Sequence, residues 1–194
     1  MTPVEIISVN YNTPDFIERM VDSVQKEGNY PIRIIDGSDR EPYENLIRKV
    51  CKRYGVTLQQ QGWNIHHGRG MDLGVSTSEF KYVLLIDSDN YLRSPIIEKM
   101  HTAMTQNDRK IVGWYCYCND KGYGNGRRPD HNHPIKYWHP SLMMIETEFY
   151  RELKSKGITF VHHGAPCIEI MKYLHKKGLS DIGLDILEYL KSFV

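Results

Sequence analysis

The sequence predicts an α/β fold, with a mostly parallel central sheet flanked by helices. Three observations carry this. Short, β-rich apolar runs alternate with punctuated helical segments over the first 90 residues, the pattern of β-α-β units. The runs "VEIISVNY" and "YVLLI" are nearly continuous in hydrophobicity, as strands covered on both faces are. A chain of 194 residues is long enough for one domain with a substantial core.

Taken in order, Val4 to about Tyr11 reads as a buried strand. The next segment, "TPDFIERMVDSVQKEG", is a helix with Thr13 as N-cap, Pro14 in the first turn and Asp15 in the positive end of the dipole. Phe16, Ile17, Met20, Val21 and Val24 form its apolar face, and Gly28 its stop. "IRIIDGSD" is a strand breaking at Asp36-Gly37. A helix over 43–54 turns Leu46, Ile47 and Val50 inward and stops at Gly55, before a third strand, "VTLQQQ". "HGRGMDLGVSTS" is a helix despite its glycines, and it leads into the strand at 82–86. Ser94-Pro95 opens a helix to about Thr105, and "KIVGWYCY" is a strand. Residues 119–140 hold three glycines, three prolines and no periodicity, the mark of a long loop. "SLMMIE", a helix at 147–156, a strand at 158–162 and two closing helices complete the chain. With no repeat and no linker, the expected organisation is one domain, 1–194, with a ligand-binding half at 1–92 and a second half at 93–194.

Composition excludes several classes. With 25 basic against 24 acidic side chains, the net charge of +1 gives no basic face for nucleic acid. No apolar run approaches the roughly 20 residues of a membrane span. The first strand begins almost at once, which leaves no room for a signal peptide, so a soluble cytoplasmic protein is expected. Cys51, Cys116, Cys118 and Cys167 then read as reduced thiols. Cys116 and Cys118 with His131 and His133 match no common zinc spacing. A place within a longer chain stays open.

In an open α/β sheet, ligands bind beyond the carboxyl ends of the strands. Those ends here carry Asn10, Tyr11 and Asn12, then Asp36 to Asp39, then Asp87 and Asp89. Oxygen donors gathered on one rim suit Mg²⁺ or Mn²⁺, and the cation in turn suits a phosphorylated ligand.

Three stretches, "ISVNYNTPDFIERMVDSV", "IIDGSD" and "NIHHGRGMDLGVSTSEFKYVLLIDSDNYL", together resemble GT-A fold glycosyltransferases of family 2, in matching order over residues 4–92. The resemblance implies that Asp87 and Asp89 form a DxD motif. Asp89 would hold the metal, and Asp87 would contact ribose or the donor sugar. It implies a nucleoside-diphosphate sugar as donor, a UDP-sugar foremost, and a glycan or other hydroxyl as acceptor. Asp36, with Asp39 as the alternative, would recognise uridine, and Asn10, Tyr11 and Asn12 would meet the base. Arg69 would lie near the diphosphate, with Asp72 facing the site. His162 or His163 would complete the metal shell. The family's acidic pair, which supplies the base, falls here on Pro166 and Cys167; Glu169 is the nearest carboxylate, with Glu146 and Asp130 as rivals. Inversion of the anomeric centre follows from the family, not from these residues.

Two other readings stay in play. A nucleotidyltransferase would use paired aspartates to activate a sugar phosphate, but it needs a glycine-rich basic signature that "SVNYNTPDF" lacks. A non-catalytic nucleotide-sugar-binding module would explain the missing base.

Overall fold

The computed structural model describes residues 3–124, 126–161 and 164–191. Its strands are β1 (Val4–Asn10), β2 (Ile32–Asp36), β3 (Thr57–Gln60), β4 (Tyr82–Ile86), β5 (Ile111–Cys118), β6 (Ile135–Glu146) and β7 (Gly183–Asp185). They make one sheet in the order β3-β2-β1-β4-β6-β5-β7. The first four are parallel neighbours, β6 runs antiparallel to both β4 and β5, and β7 is parallel to β5.

Period-2 alternation divides the core between the two faces of this sheet. Ile7, Ile35, Val83 and Leu85 point to one face, where α3 (His67–Thr77), α5 (Thr147–Ser155) and α6 (Ile168–Lys176) cover them. Ile6, Ile34, Leu84 and Ile86 point to the other, under α1 (Pro14–Gln25), α2 (Glu41–Tyr54) and α4 (Ile97–Gln106). Both faces are apolar, which is why these strands read as continuous hydrophobic runs. The last helix, α7 (Ile186–Lys191), joins the second face through Ile186.

Helix α3 lies close on the sheet because of its glycines. A Cβ on Gly70 would stand 2.5 Å from Val9 Cγ1, and one on Gly74 would stand 2.7 Å from Ile7 Cγ2.

Several local expectations change. Thr13 makes no side-chain cap on α1; its hydroxyl donates to Asn10 Oδ1 instead, at 2.6 Å. That helix ends at Gln25, before Gly28. Phe16 and Leu46 are exposed rather than inward. Gly55 does end α2, in the left-handed conformation. The loop expected over 119–140 is shorter, since β6 already begins at Ile135. Residues 158–161 form no strand; there Val161 N–H donates to the carbonyl of Pro166. The short β7 was hidden between the two closing helices.

Candidate functional site

Strands β1 and β4 lie side by side and parallel, so the turns after Asn10 and Ile86 open on one edge. The segment before α3 returns to the same edge. Together they enclose a cleft of about 330 Å³. Tyr11 and Phe16 form one wall, Asn64, His66 and His67 another, and Asp87 and Asp89 lie at the end of β4.

Asp36 pairs with Asn10 in the β1–β2 register and is fully buried. Its Oδ1 accepts from Asn10 Nδ2 (2.8 Å) and from the Ser38 hydroxyl (2.7 Å), while Gln60 Nε2 approaches its Oδ2 at 3.4 Å. The carboxylate thus knits three strand ends together beneath the rim and does not line the cleft. Asp39 stands further out, accepting from the Tyr11 hydroxyl (3.1 Å) and from Asn12 Nδ2 (3.3 Å). Asn12 takes φ +58°, a left-handed turn that asparagine tolerates, and its N–H donates to Ser38 Oγ.

Asp87 carries the most distinctive atom of the cleft. Its Oδ1 is buried and receives no hydrogen bond among the described residues. The Nε2 of His67 stands 3.0 Å from it, close enough for attraction when the ring is charged but outside hydrogen-bonding direction. Asp89 is exposed at the mouth. The turn between them is fastened to β6 through one carbonyl: Ser141 O accepts from Asp87 N–H (3.2 Å) and from Asn90 Nδ2 (3.0 Å). His66, on the opposite wall, has φ +64° and ψ +152°, a conformation that only glycine adopts without strain.

Other predicted residues stand elsewhere. Asp72 faces α5, where its carboxylate takes the Tyr150 hydroxyl (2.6 Å) and Lys154 Nζ (2.9 Å). Arg69 is exposed on α3 and does not line the cleft. Glu169 projects from α6 and pairs with Lys172 one turn on, at 2.9 Å. Glu146 pairs with Lys110, and Asp130 is tied up in its own turn by His133. At the position of the family's acidic pair, Cys167 is completely buried, and burial pushes its thiol far above the ordinary range. His162 and His163 lie outside the described residues. Among the described residues no group of three or more His, Cys, Asp or Glu could hold a metal ion.

Two residues were missed in the sequence: His67, read only as a helix start, and His139, read as loop. Between the paired positions Gly113↔Met143 and Tyr115↔Trp138, the single residue Trp114 on β5 faces four on β6, from His139 to Leu142. That bulge turns His139 out of the ladder beside Trp114, whose ring it stacks on at 4.5 Å and 14°. Burial lowers the imidazole's pKa from its ordinary value, and the nearby charge of Asp87 only partly offsets this. The visible signal was Pro140, which inside a strand marks a bulge.

An open sheet with its cleft over the strand ends, and paired carboxylates at the end of β4, defines a GT-A fold. The family model "Glycosyl transferase family 2" matches residues 5–171, and the chain belongs to that family. It is 25% identical over 127 residues to glycosyltransferase GlyG of Streptococcus pneumoniae serotype 4, a match covering 62% of this chain and 42% of that protein. It is similar in structure to S. aureus TarS 1–349 in complex with UDP-GlcNAc, with TM-score 0.62, 16% identity, and 88% of this chain and 53% of that one covered. The mannosyltransferase PcManGT of Pyrobaculum calidifontis, in complex with GDP-Man and Mn²⁺, has TM-score 0.62, 13% identity and coverage of 86% and 50%. Glucosyl-3-phosphoglycerate synthase of Mycobacterium tuberculosis, in complex with UDP, has TM-score 0.64, 10% identity and coverage of 94% and 68%. The chain thus spans less than half of its curated relative and about half of the first two structures.

Proposed function

We propose that the chain is a single GT-A domain that moves a sugar from a nucleoside-diphosphate sugar, a UDP-sugar foremost, to a hydroxyl of a glycan or other acceptor, with the help of a divalent cation. The observation that carries this is Asp87 Oδ1, a buried carboxylate oxygen without a hydrogen bond, set in a cleft beside Asp89. With only His67 Nε2 beside it at 3.0 Å and no aligned hydrogen bond, such an oxygen is stabilised when a ligand supplies positive charge. The two carboxylates fit Mg²⁺ or Mn²⁺, which are commonly held by one or two carboxylates with substrate phosphates completing the shell. That makes the lack of a third ligand among the described residues compatible with the reading. A bound cation would stabilise charge on the departing nucleoside diphosphate. Neighbours bound to UDP-GlcNAc and to GDP-Man with Mn²⁺ support this donor class without choosing between bases.

The chain's own residues take the following parts. Tyr11 and Phe16 offer a ring wall to the nucleobase, and Asp39 is better exposed than Asp36 for a ribose or base contact. Asp36 holds the β1 and β2 turns in shape through Asn10 and Ser38. Asp72 and Glu169 are engaged away from the cleft, so neither is given a role. The base stays unassigned.

The test is a thermal-shift series with UDP, Mn²⁺ and both. UDP and Mn²⁺ together should raise the melting temperature more than the sum of the two alone, because each completes the other's site. Asp89→Ala should remove that surplus; a surplus unchanged in this variant removes Asp89 from the metal site. The buried Cys167 in place of a carboxylate favours one second reading, a module that binds nucleotide-sugar without turnover. Mn²⁺-dependent release of UDP from a UDP-sugar would reject it.

A further inference from the structure

The bulge in β6 presents an imidazole whose proton is fixed in place. The backbone N–H of Ser141 donates to His139 Nδ1 at 3.3 Å, and the Ser141 hydroxyl lies 2.9 Å from the same nitrogen. That hydroxyl also accepts from the Trp114 indole N–H at 3.2 Å, which leaves its own hydrogen free to turn to His139. A backbone N–H donates and never accepts, so Nδ1 carries no proton and the neutral ring holds its hydrogen on Nε2. Burial, which lowers this imidazole's pKa, keeps the ring neutral. Trp114 on one face and the edge of Tyr137, 5.8 Å away between centroids, fix its plane. Three groups therefore hold the ring, all of the hydrogen bonds found for it among the described residues fall on Nδ1, and the charges of Asp87 and His67 act on it electrostatically.

The place of this donor says what it would meet. In the order β2-β1-β4-β6, the cleft of Tyr11 and Asp87 lies over β1 and β4, and β6 lies on the far side of β4. The Asp87–Asn90 turn separates the two, bound to Ser141, which is His139's own partner. The antiparallel pairing Ile86↔Leu142 sets His139 beyond the carboxyl end of β4, so a ligand with its nucleotide in the cleft and its diphosphate at Asp87 would extend its sugar toward that residue. A neutral N–H beside an indole suits a sugar hydroxyl or amide carbonyl rather than a phosphate, which favours cationic partners.

The geometry points to His139 as a donor-sugar contact: its Nε2–H, held in place by Trp114 and Ser141, donates a hydrogen bond to an oxygen of the transferred sugar. The assignment rests on the nucleotide-sugar reading above and extends it to a residue outside the motifs of the sequence. Its specific consequence is that His139 affects the sugar and leaves the nucleotide alone.

Calorimetric titration with Mn²⁺ tests this, using UDP, UDP-glucose, UDP-N-acetylglucosamine, GDP and GDP-mannose as probes. For the nucleotide-sugar that wild type binds best, the ratio of its Kd to that of its bare nucleotide should worsen by about tenfold in His139→Phe, the worth of one lost hydrogen bond. The nucleotide's own Kd should stay within about twofold, and His139→Gln, which restores an N–H at similar reach, should recover most of the ratio. Independently, ¹⁵N spectra should place the imidazole proton on Nε2 in the wild type and also in Ser141→Ala, which keeps the backbone N–H that donates to Nδ1. An unchanged ratio in His139→Phe overturns the contact while leaving the nucleotide-sugar reading intact. A proton found on Nδ1 overturns the fixed donor by itself. A wild type that binds none of these nucleotide-sugars overturns both readings.

Discussion

At the scale of single residues, burial decides which side chains stay neutral. His139 is the informative case, since its pKa is lowered from the ordinary 6.5 chiefly by burial. In the unfolded chain the ring regains the ordinary value, so between the folded and unfolded pKa the unfolded state binds more protons. Its contribution to stability is therefore fully present above about pH 6.5 and is lost as pH falls toward the folded pKa. Melting temperatures measured from pH 7.5 to 5 should fall more steeply for wild type than for His139→Gln, and parallel curves would show that the ring pays no cost on charging. Asp36 shows the converse situation, an acidic side chain at a strand end wholly spoken for by Asn10, Ser38 and Gln60. From sequence alone Asp36 is the first candidate for uridine and Asp39 the alternative. What separates them is three-dimensional: one sits in register with Asn10 and is sealed, while the other stands at the rim beside Tyr11.

At the scale of elements, the close approach of α3 to β1 sets one wall of the cleft. Gly70 leaves no room for a methyl group against Val9, which itself lines the cleft. Gly70→Ala should destabilise the protein by about 1–3 kcal/mol, the usual cost of overpacking. Adding Val9→Ala removes both methyl groups that the new Cβ would strike. In denaturant unfolding, the double variant should recover part of the loss despite deleting apolar surface, a non-additivity that a purely local helix effect would not give. The glycines were visible in the sequence, and the helix was read correctly in spite of their low propensity. Which strand they pressed against was not, because that depends on the crossing of two elements 60 residues apart. The start of β6 was missed for a related reason. Its bulge interrupts the period-2 pattern at His139 and Pro140, so "IKYWHP" carries no alternation for a reader to find.

For the whole molecule, the parallel half was legible because each β-α unit repeats one local rule. The antiparallel half follows no such rule, and long-range ties complete it. Arg127, on the connection expected to be a long loop, donates to the Tyr115 carbonyl at 2.8 Å, stacks over the Tyr115 ring and pairs with the buried Asp185. This joins the 119–134 connection to β7, the strand that covers the outer edge of β5. Arg127→Ala would leave the Asp185 carboxylate without its cation in a site 3% exposed. The expected loss is about 2 kcal/mol, within the range for an orphaned buried acceptor and moderated because the arginine itself is partly exposed. Chemical denaturation would measure it, and a loss below about 0.5 kcal/mol would mean that Asp185 finds water instead.

The carbonyl of Ser141 has a consequence beyond its own strand. It grips both ends of the Asp87–Asn90 turn from a strand that does not line the cleft of Tyr11 and Asp87. Loss of this one oxygen as an acceptor would therefore loosen the turn at two points together, so the shape of the cleft floor depends on a strand that contributes no side chain to it.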